Sequence, residues 1–206
     1  MRHSPAGITE QFEITRRRSR SSEDREPRAP AGPLGRRKCE EHLAGGPNAH
    51  VHWYTVRNGK NGALLGPTMI VLFYVIIQSL KHCPSLRLKR TVCRLLGMKL
   101  GKNVTIASGV TLDYFFPELI EIGDNTIVGM DALILTHEFL HDRWRTGTVT
   151  IGRNVMVGAR STVLAGVSVG DGVRISAMSL VHRSVPAEAF VGGVPIGVID
   201  AAGPGT

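Results

Sequence analysis

The residues best suited to chemistry cluster late in the chain. His137 stands in Leu135-Thr136-His137-Glu138-Phe139, and His141, Asp142, Arg143, Trp144 and Arg145 follow it closely. Titratable and aromatic side chains are denser here than elsewhere in 100–206. An imidazole is the side chain suited to general acid–base work near neutral pH, provided a second group fixes its tautomer. His137-Glu138-Phe139-Leu140-His141 also spells H-E-x-x-H. That zinc-protease pattern works only on a helix, where positions four apart share a face. No helical period surrounds it, so a zinc protease is not expected.

The elements that must hold this cluster have a period of six. The leading aliphatics are Leu100, Ile106 and Leu112, then Ile122, Val128 and Ile134, then Ile151, Val157 and Val163, and finally Val169, Ile175 and Val181. Four positions after each stands a small or β-branched residue, except at Phe116 and Glu138. Gly or Ala follows the leading residue at 101, 107, 123, 129, 152, 158 and 170. A period of six matches no helix face. It fits two- to four-residue strands separated by tight turns, with the aliphatic inward and Gly- or Asn-like residues turning the chain. Such repeats signal a parallel β-helix, here of about four coils. The register breaks at 118–121 and again at 140–150. The second break is a long excursion beside His137, and excursions from a regular solenoid are where function concentrates.

Before the repeats come two other stretches. Residues 1–50 are rich in Arg, Ser, Pro, Gly and Glu with isolated apolar residues, and the composition predicts a disordered basic tail. No apolar core of a secretory signal occurs in 1–40. Residues 51–99 predict helices. Met69–Ile77 is unbroken apolar sequence, and a second helix is expected after Pro84 and before Gly97. The second helix carries Leu86, Leu88, Val92, Leu95 and Leu96 with Arg87, Lys89, Arg90 and Arg94. An apolar helix beside a cationic amphipathic one suits an anionic membrane surface, with peripheral contact through 62–96, or a cap packed on the next domain with its cations in solvent. The domain scheme is therefore tail 1–50, helical segment 51–99, β-helix 100–199 and C-terminal tail 200–206.

The repeats, the Thr136-His137 step, the loop and the closing Val191-Gly192-Gly193-Val194-Pro195 resemble hexapeptide-repeat acyltransferases, most of all the maltose, galactoside and nodulation-type O-acetyltransferases. That resemblance implies a left-handed parallel β-helix and a homotrimer with active sites between subunits. It implies acetyl transfer from acetyl-CoA to a hydroxyl of a sugar, glycan or related small acceptor. His137 then corresponds to the general base, with Asp113, Glu118 or Glu138 to orient it or bind acceptor hydroxyls, and with Trp144 and Arg145 as acceptor contacts. Ile151-Gly152-Arg153-Asn154-Val155-Met156-Val157-Gly158 matches the family's cofactor motif, with Met156 where a Trp is usual. Met156, Gly158, Ala159, Ala177, His182, Gly193 and Pro195 are the cofactor-side positions. The terminal cations of the family pattern are replaced by Gly197 and Asp200, so phosphate contacts move to Arg160, Arg174 or Arg183. The segment Tyr114-Phe115-Phe116-Pro117 is aromatic where sugar-specific members carry polar groups, which points to an acceptor with an apolar portion.

Charge and composition exclude other classes. The formal charge is +8, yet 1–50 holds 10 basic and 7 acidic residues, 51–99 holds 8 and none, and 100–206 holds 7 and 10. The repeats are thus mildly acidic, and no nucleic-acid reading motif accompanies the basic half. Three cysteines without C-x-x-C fit a reduced chain, expected in the cytoplasm or at the inner membrane surface. No metal is expected. Two other functions fit the same β-helix: a zinc enzyme resembling gamma-class carbonic anhydrases, and a non-catalytic trimeric scaffold.

Overall fold

A computed structural model describes residues 33–43, 65–141 and 143–199. The expectations for 1–32, 44–64 and 200–206, Asp200 and Asp142 among them, lie outside the described residues. Strand β1 spans Glu40–Leu43, helix α1 Leu65–Lys81 and helix α2 Leu86–Leu95. Then come β2 (Lys99–Leu100), β3 (Thr105–Ile106), β4 (Thr111–Leu112), β5 (Ile120–Ile122), β6 (Ile127–Val128) and β7 (Leu133–Ile134). A 3-10 turn at Pro117–Leu119 fills the first register break. The second break is a hairpin of β8 (His137–Phe139) and β9 (Arg143–Thr146). The remaining coils run through β10 (Val149–Ile151), β11 (Met156–Val157), β12 (Thr162–Val163), β13 (Ser168–Val169), β14 (Arg174–Ile175) and β15 (Leu180–Val181), ending in β16 (Phe190–Gly192) and β17 (Gly197–Val198).

These strands stack into a left-handed parallel β-helix of triangular section. Its three faces have the strand orders β2-β5-β10-β13, β3-β6-β11-β14-β16-β17 and β4-β7-β12-β15. Every leading aliphatic of the six-residue period ends a strand and is buried, from Leu100 at 9% exposed to Val181 at 0%. Ten of the twelve positions four residues later are buried as well; Phe116 and Glu138, the two exceptions, flank the candidate site. The third position after the leading aliphatic takes positive φ in nine of the twelve repeats, as at Asn103, Asn125 and Asn154, where Asn tolerates it, and not at Phe115, His137 or Ser184. At Gly129 a Cβ would lie 2.7 Å from the Ala159 nitrogen one coil below, so coil-to-coil approach requires the glycine.

The helices close the top of the prism: α1 packs on β4, and α2 on β2 and β3. Ser85 caps α2 by accepting the Leu88 N–H. α2 packs as a cap on the β-helix, but the expected solvation of its cations fails at Lys89. Lys89 is only 3% exposed and its Nζ donates to the carbonyls of Ala107 at 2.9 Å and Ile106 at 3.4 Å. Arg94 donates to the carbonyls of Leu100 and Gly101. The first coil has no coil above it, so its carbonyls need donors, and two cations of α2 supply them in place of solvent. Leu86, Leu88 and Leu95 are left exposed instead. Lys89→Met should therefore destabilise the fold by about 1–3 kcal/mol, because it fills the same volume and leaves two buried carbonyls without a donor. A denaturant midpoint equal to that of the parent would contradict this role.

Residues 33–43 fall within the stretch read as a tail, yet they run along the β-helix. Gly35 exchanges backbone hydrogen bonds with Ser184, the Lys38 N–H donates to Gly166 O at 2.8 Å, and β1 pairs antiparallel with β9. The hairpin offers an open strand edge, and edge pairing is satisfied by main chain whatever the side chains. Polar composition hid it for that reason.

Candidate active site

The cluster around His137 is built where the β4-β7-β12-β15 face turns toward the next face. Asp113 follows β4 and His137 begins β8, one coil apart on the same corner. His137 Nδ1 lies 2.5 Å from Asp113 Oδ2. Asp113 is 2% exposed and is satisfied on every side: Oδ2 also accepts the Thr136 N–H at 2.8 Å, and Oδ1 accepts the N–H groups of Phe115 at 2.7 Å and Phe116 at 3.4 Å. Burial alone would push its pKa up. The hydrogen bond and charge of His137, with the backbone N–H groups of Thr136 and Phe115, outweigh that and hold it below the ordinary carboxylate range. An ionised carboxylate can only accept, so Nδ1 carries the proton and Nε2 is the ring nitrogen left to act as a base.

Aromatic rings pack around the imidazole. Phe115 lies 4.4 Å and Phe139 4.7 Å from the His137 ring centre. Beside them opens a cavity of about 440 Å³ lined by Ile70, Val71 and Tyr74 from α1, Tyr114 and Phe115 after β4, and His137 and Phe139 of β8. The Tyr74 and Tyr114 rings meet edge to face at 5.2 Å. Burial, then the charge of Asp113, pushes the Tyr114 phenol up.

The expected site residues separate into groups. Asp113 is the carboxylate that meets His137. Glu138 faces the other side of its strand and pairs with Arg37, on the segment that composition failed to reveal. Arg145 projects to that same side and pairs with Glu41 at 2.7 Å. Trp144 stacks between His42 at 4.0 Å and Phe116 at 5.7 Å. Glu118 sits exposed on the 3-10 turn. The 137–141 stretch begins as a strand, so its H-E-x-x-H spelling does not put two histidines on one helix face. Among the described residues no three His, Cys, Asp or Glu side chains converge as a metal site.

Most cofactor-side positions lie elsewhere on the prism. Met156, on β11, is 48% exposed; Gly158, Ala159 and Arg160 follow it, Ala177 follows β14, and Gly193 and Pro195 follow β16. They mark the edge between the β3-β6-β11-β14-β16 face and the β4-β7-β12-β15 face. Arg160 holds positive φ there and lies 3.7 Å from Asp131. His182 and Arg183 follow β15, on the His137 edge but two coils further along, beside a second cavity shared with Arg36, Arg37 and Arg145. None of the nine lines the cavity at His137. The α1 contribution to that cavity and the Arg37–Glu138 pair had no sequence signal, since both depend on contacts between segments far apart in the chain.

Comparison with known proteins agrees with the fold. The family described as "Bacterial transferase hexapeptide (six repeats)" matches residues 148–183. YvoF of Bacillus subtilis strain 168, an acetyltransferase by provisional name, is 41% identical over 165 residues, covering 79% of this chain and 91% of its own. A Staphylococcus aureus (strain MSSA476) protein, SAS0727, with the same kind of name is 43% identical over 123 residues, covering 59% of this chain and 76% of its own. Among solved structures, a maltose O-acetyltransferase from Clostridium difficile 630 superposes with a TM-score of 0.55 at 20% identity, covering 66% of this chain and 87% of that one. A galactoside acetyltransferase in complex with coenzyme A superposes with a TM-score of 0.52 at 21% identity, covering 68% and 84%. At those identities the structures establish the fold.

Proposed function

The chain belongs to the hexapeptide-repeat acetyltransferase family, and from that premise we propose that it moves the acetyl group of acetyl-CoA to a hydroxyl of a sugar, glycan or related small acceptor, with His137 as the general base. The observation that carries the reading is the buried Asp113 carboxylate against His137 Nδ1. It fixes the tautomer that presents a basic Nε2 beside a cavity able to seat an acceptor. Nε2 takes the hydroxyl proton as the oxygen bonds to the thioester carbonyl carbon. The tetrahedral intermediate then expels the thiolate of coenzyme A, which recovers the proton from His137 and leaves as the free thiol. Asp113 stays ionised throughout and stabilises the transient imidazolium. Thiol release from acetyl-CoA in the presence of hydroxyl acceptors tests this directly. No release above hydrolysis with any acceptor would overturn it.

The enzyme works as a homotrimer with its sites between subunits. Supporting this, the His137 edge and the edge bearing Met156, Gly158 and Ala177 are different corners of one prism, separated by a sheet face. One chain does not bring them together, whereas a neighbouring copy can supply the second corner. Complementation follows from this. Mixed assemblies of His137→Asn and Ala177→Glu chains, each inactive alone, should regain a measurable fraction of parental activity, because some interfaces then pair two intact corners. Absence of any recovery would place the whole site within one chain.

Peripheral membrane contact through 62–96 is part of the same proposal. Among the described residues no helix is long and apolar enough to cross a membrane. Val71, Leu72 and Val75 on α1 are each about half exposed, at 51%, 50% and 53%. Segment 51–99 has no acidic residue. This combination favours adsorption to anionic lipid. Co-sedimentation with vesicles containing phosphatidylglycerol should fall several-fold for the double variant Leu72→Glu, Val75→Glu. Unchanged partitioning would sink the idea.

A further inference from the structure

Resting on the acetyltransferase reading, we propose that the acceptor is an amphiphile: the hydroxyl that reacts is joined to an alkyl or aryl group, and that group occupies the cavity between α1 and His137. The cavity begins at the ring of the proposed base, so whatever fills it lies next to the reacting oxygen. Its lining side chains offer few polar atoms, namely the hydroxyls of Tyr74 and Tyr114 and the His137 ring itself. The other contacts come from Ile70, Val71, Phe115 and Phe139. A free polyol seated there would surrender the hydration of several hydroxyls and find partners for only a few, which is unfavourable. An apolar group leaves no such deficit. Phe115 and Phe139 meet edge to face at 5.3 Å and both lean on the imidazole, so one wall is a rigid aromatic surface. The opposite wall is helical: Val71 and Tyr74 are three residues apart on α1, share a face, and remain 51% and 43% exposed. The cavity is therefore open along α1, on the side where that helix exposes further apolar residues. An acceptor can enter with its apolar end first and extend its polar end outward.

The test uses the full chain with acetyl-CoA and a series of glucosides of one sugar: free glucose, then methyl, butyl and hexyl glucoside, all below micelle-forming concentrations. Thiol release is expected to rise in kcat/KM by roughly threefold for each methylene that enters the cavity, so hexyl glucoside exceeds methyl glucoside by at least tenfold. Val71→Glu should abolish this chain-length gain, bringing the kcat/KM ratio of hexyl to methyl glucoside close to one. Leu72→Glu, outside the cavity lining, should keep the gain. A second readout is independent of turnover: calorimetric binding of hexyl and methyl glucoside to the full chain. If no glucoside releases thiol but hexyl binds at least tenfold more tightly than methyl and Val71→Glu removes the difference, the acetyl-transfer reading fails for these acceptors and the cavity assignment stands. Equal values along the series in both readouts would overturn the proposal. So would competition between coenzyme A and hexyl glucoside, which would assign the cavity to the donor.

Discussion

Replacing His137 with asparagine should lower kcat for acetyl transfer by about 10²–10⁴-fold while the protein stays folded with a nearly unchanged thermal midpoint. The asparagine amide N–H₂ occupies the place of Nδ1–H and keeps a donor on Asp113 Oδ2. It supplies no basic nitrogen where Nε2 stood. The comparison with His137→Ala separates chemistry from structure. Alanine removes both the base and the donor, leaving a buried carboxylate with one partner fewer, so it should lose activity to a similar degree and stability as well. If His137→Asn turned over at the parental rate, proton removal would belong to another group, and the cavity beside His137 would not be the acceptor site. Acetyl-CoA hydrolysis measured without acceptor provides the baseline against which the residual rate is read.

The β-helix was readable from the sequence because its rule is local. A leading aliphatic every six residues is a one-dimensional pattern, and all twelve such residues end strands with buried side chains. His137 was readable for a related reason: it stands where the period breaks. What the sequence concealed depends on contacts without periodicity. Asp113 was one of three carboxylates equally placed by residue type, and only the stacking of coils shows that it lies one turn from His137. Lys89 looked like a solvated cation because its neighbours are cationic. It is buried because the open backbone carbonyls of Ile106 and Ala107 in the first coil accept from its Nζ in place of water. The 33–43 segment joins an edge through main-chain hydrogen bonds, to which side-chain composition is blind. The cavity beside His137 combines α1, the loop after β4 and β8, three segments with unrelated patterns.

Asp113 carries the second large effect, on both rate and stability. Its oxygens accept four N–H groups, from Thr136, Phe115, Phe116 and His137. Asp113→Asn keeps the volume but replaces one acceptor oxygen by a donor, so at least one of these groups faces another donor. Hydrogen bonds to a buried charge are worth about 1.5–3 kcal/mol each, so the variant should lose about 2 kcal/mol or more at neutral pH. It should also lose kcat by one to several orders of magnitude, roughly as wrong-tautomer variants of other histidine bases do, because an amide N–H aimed at the ring favours the proton on Nε2 and leaves no base there. The pH dependence distinguishes this account from simple loss of packing. The folded Asp113 carboxyl is held below its ordinary range, so the unfolded chain takes up this proton first as pH falls. Its stabilising share is fully present above the unfolded value of about 3.9. That share is lost as pH falls through the lower folded value. The stability gap between parent and Asp113→Asn should therefore narrow below about pH 4, relative to its value near pH 5. Denaturant unfolding at a series of pH values measures it. A gap that stayed constant to pH 3 would mean that the ionised carboxylate contributes nothing beyond its shape, and the orientation of His137 would then need another explanation.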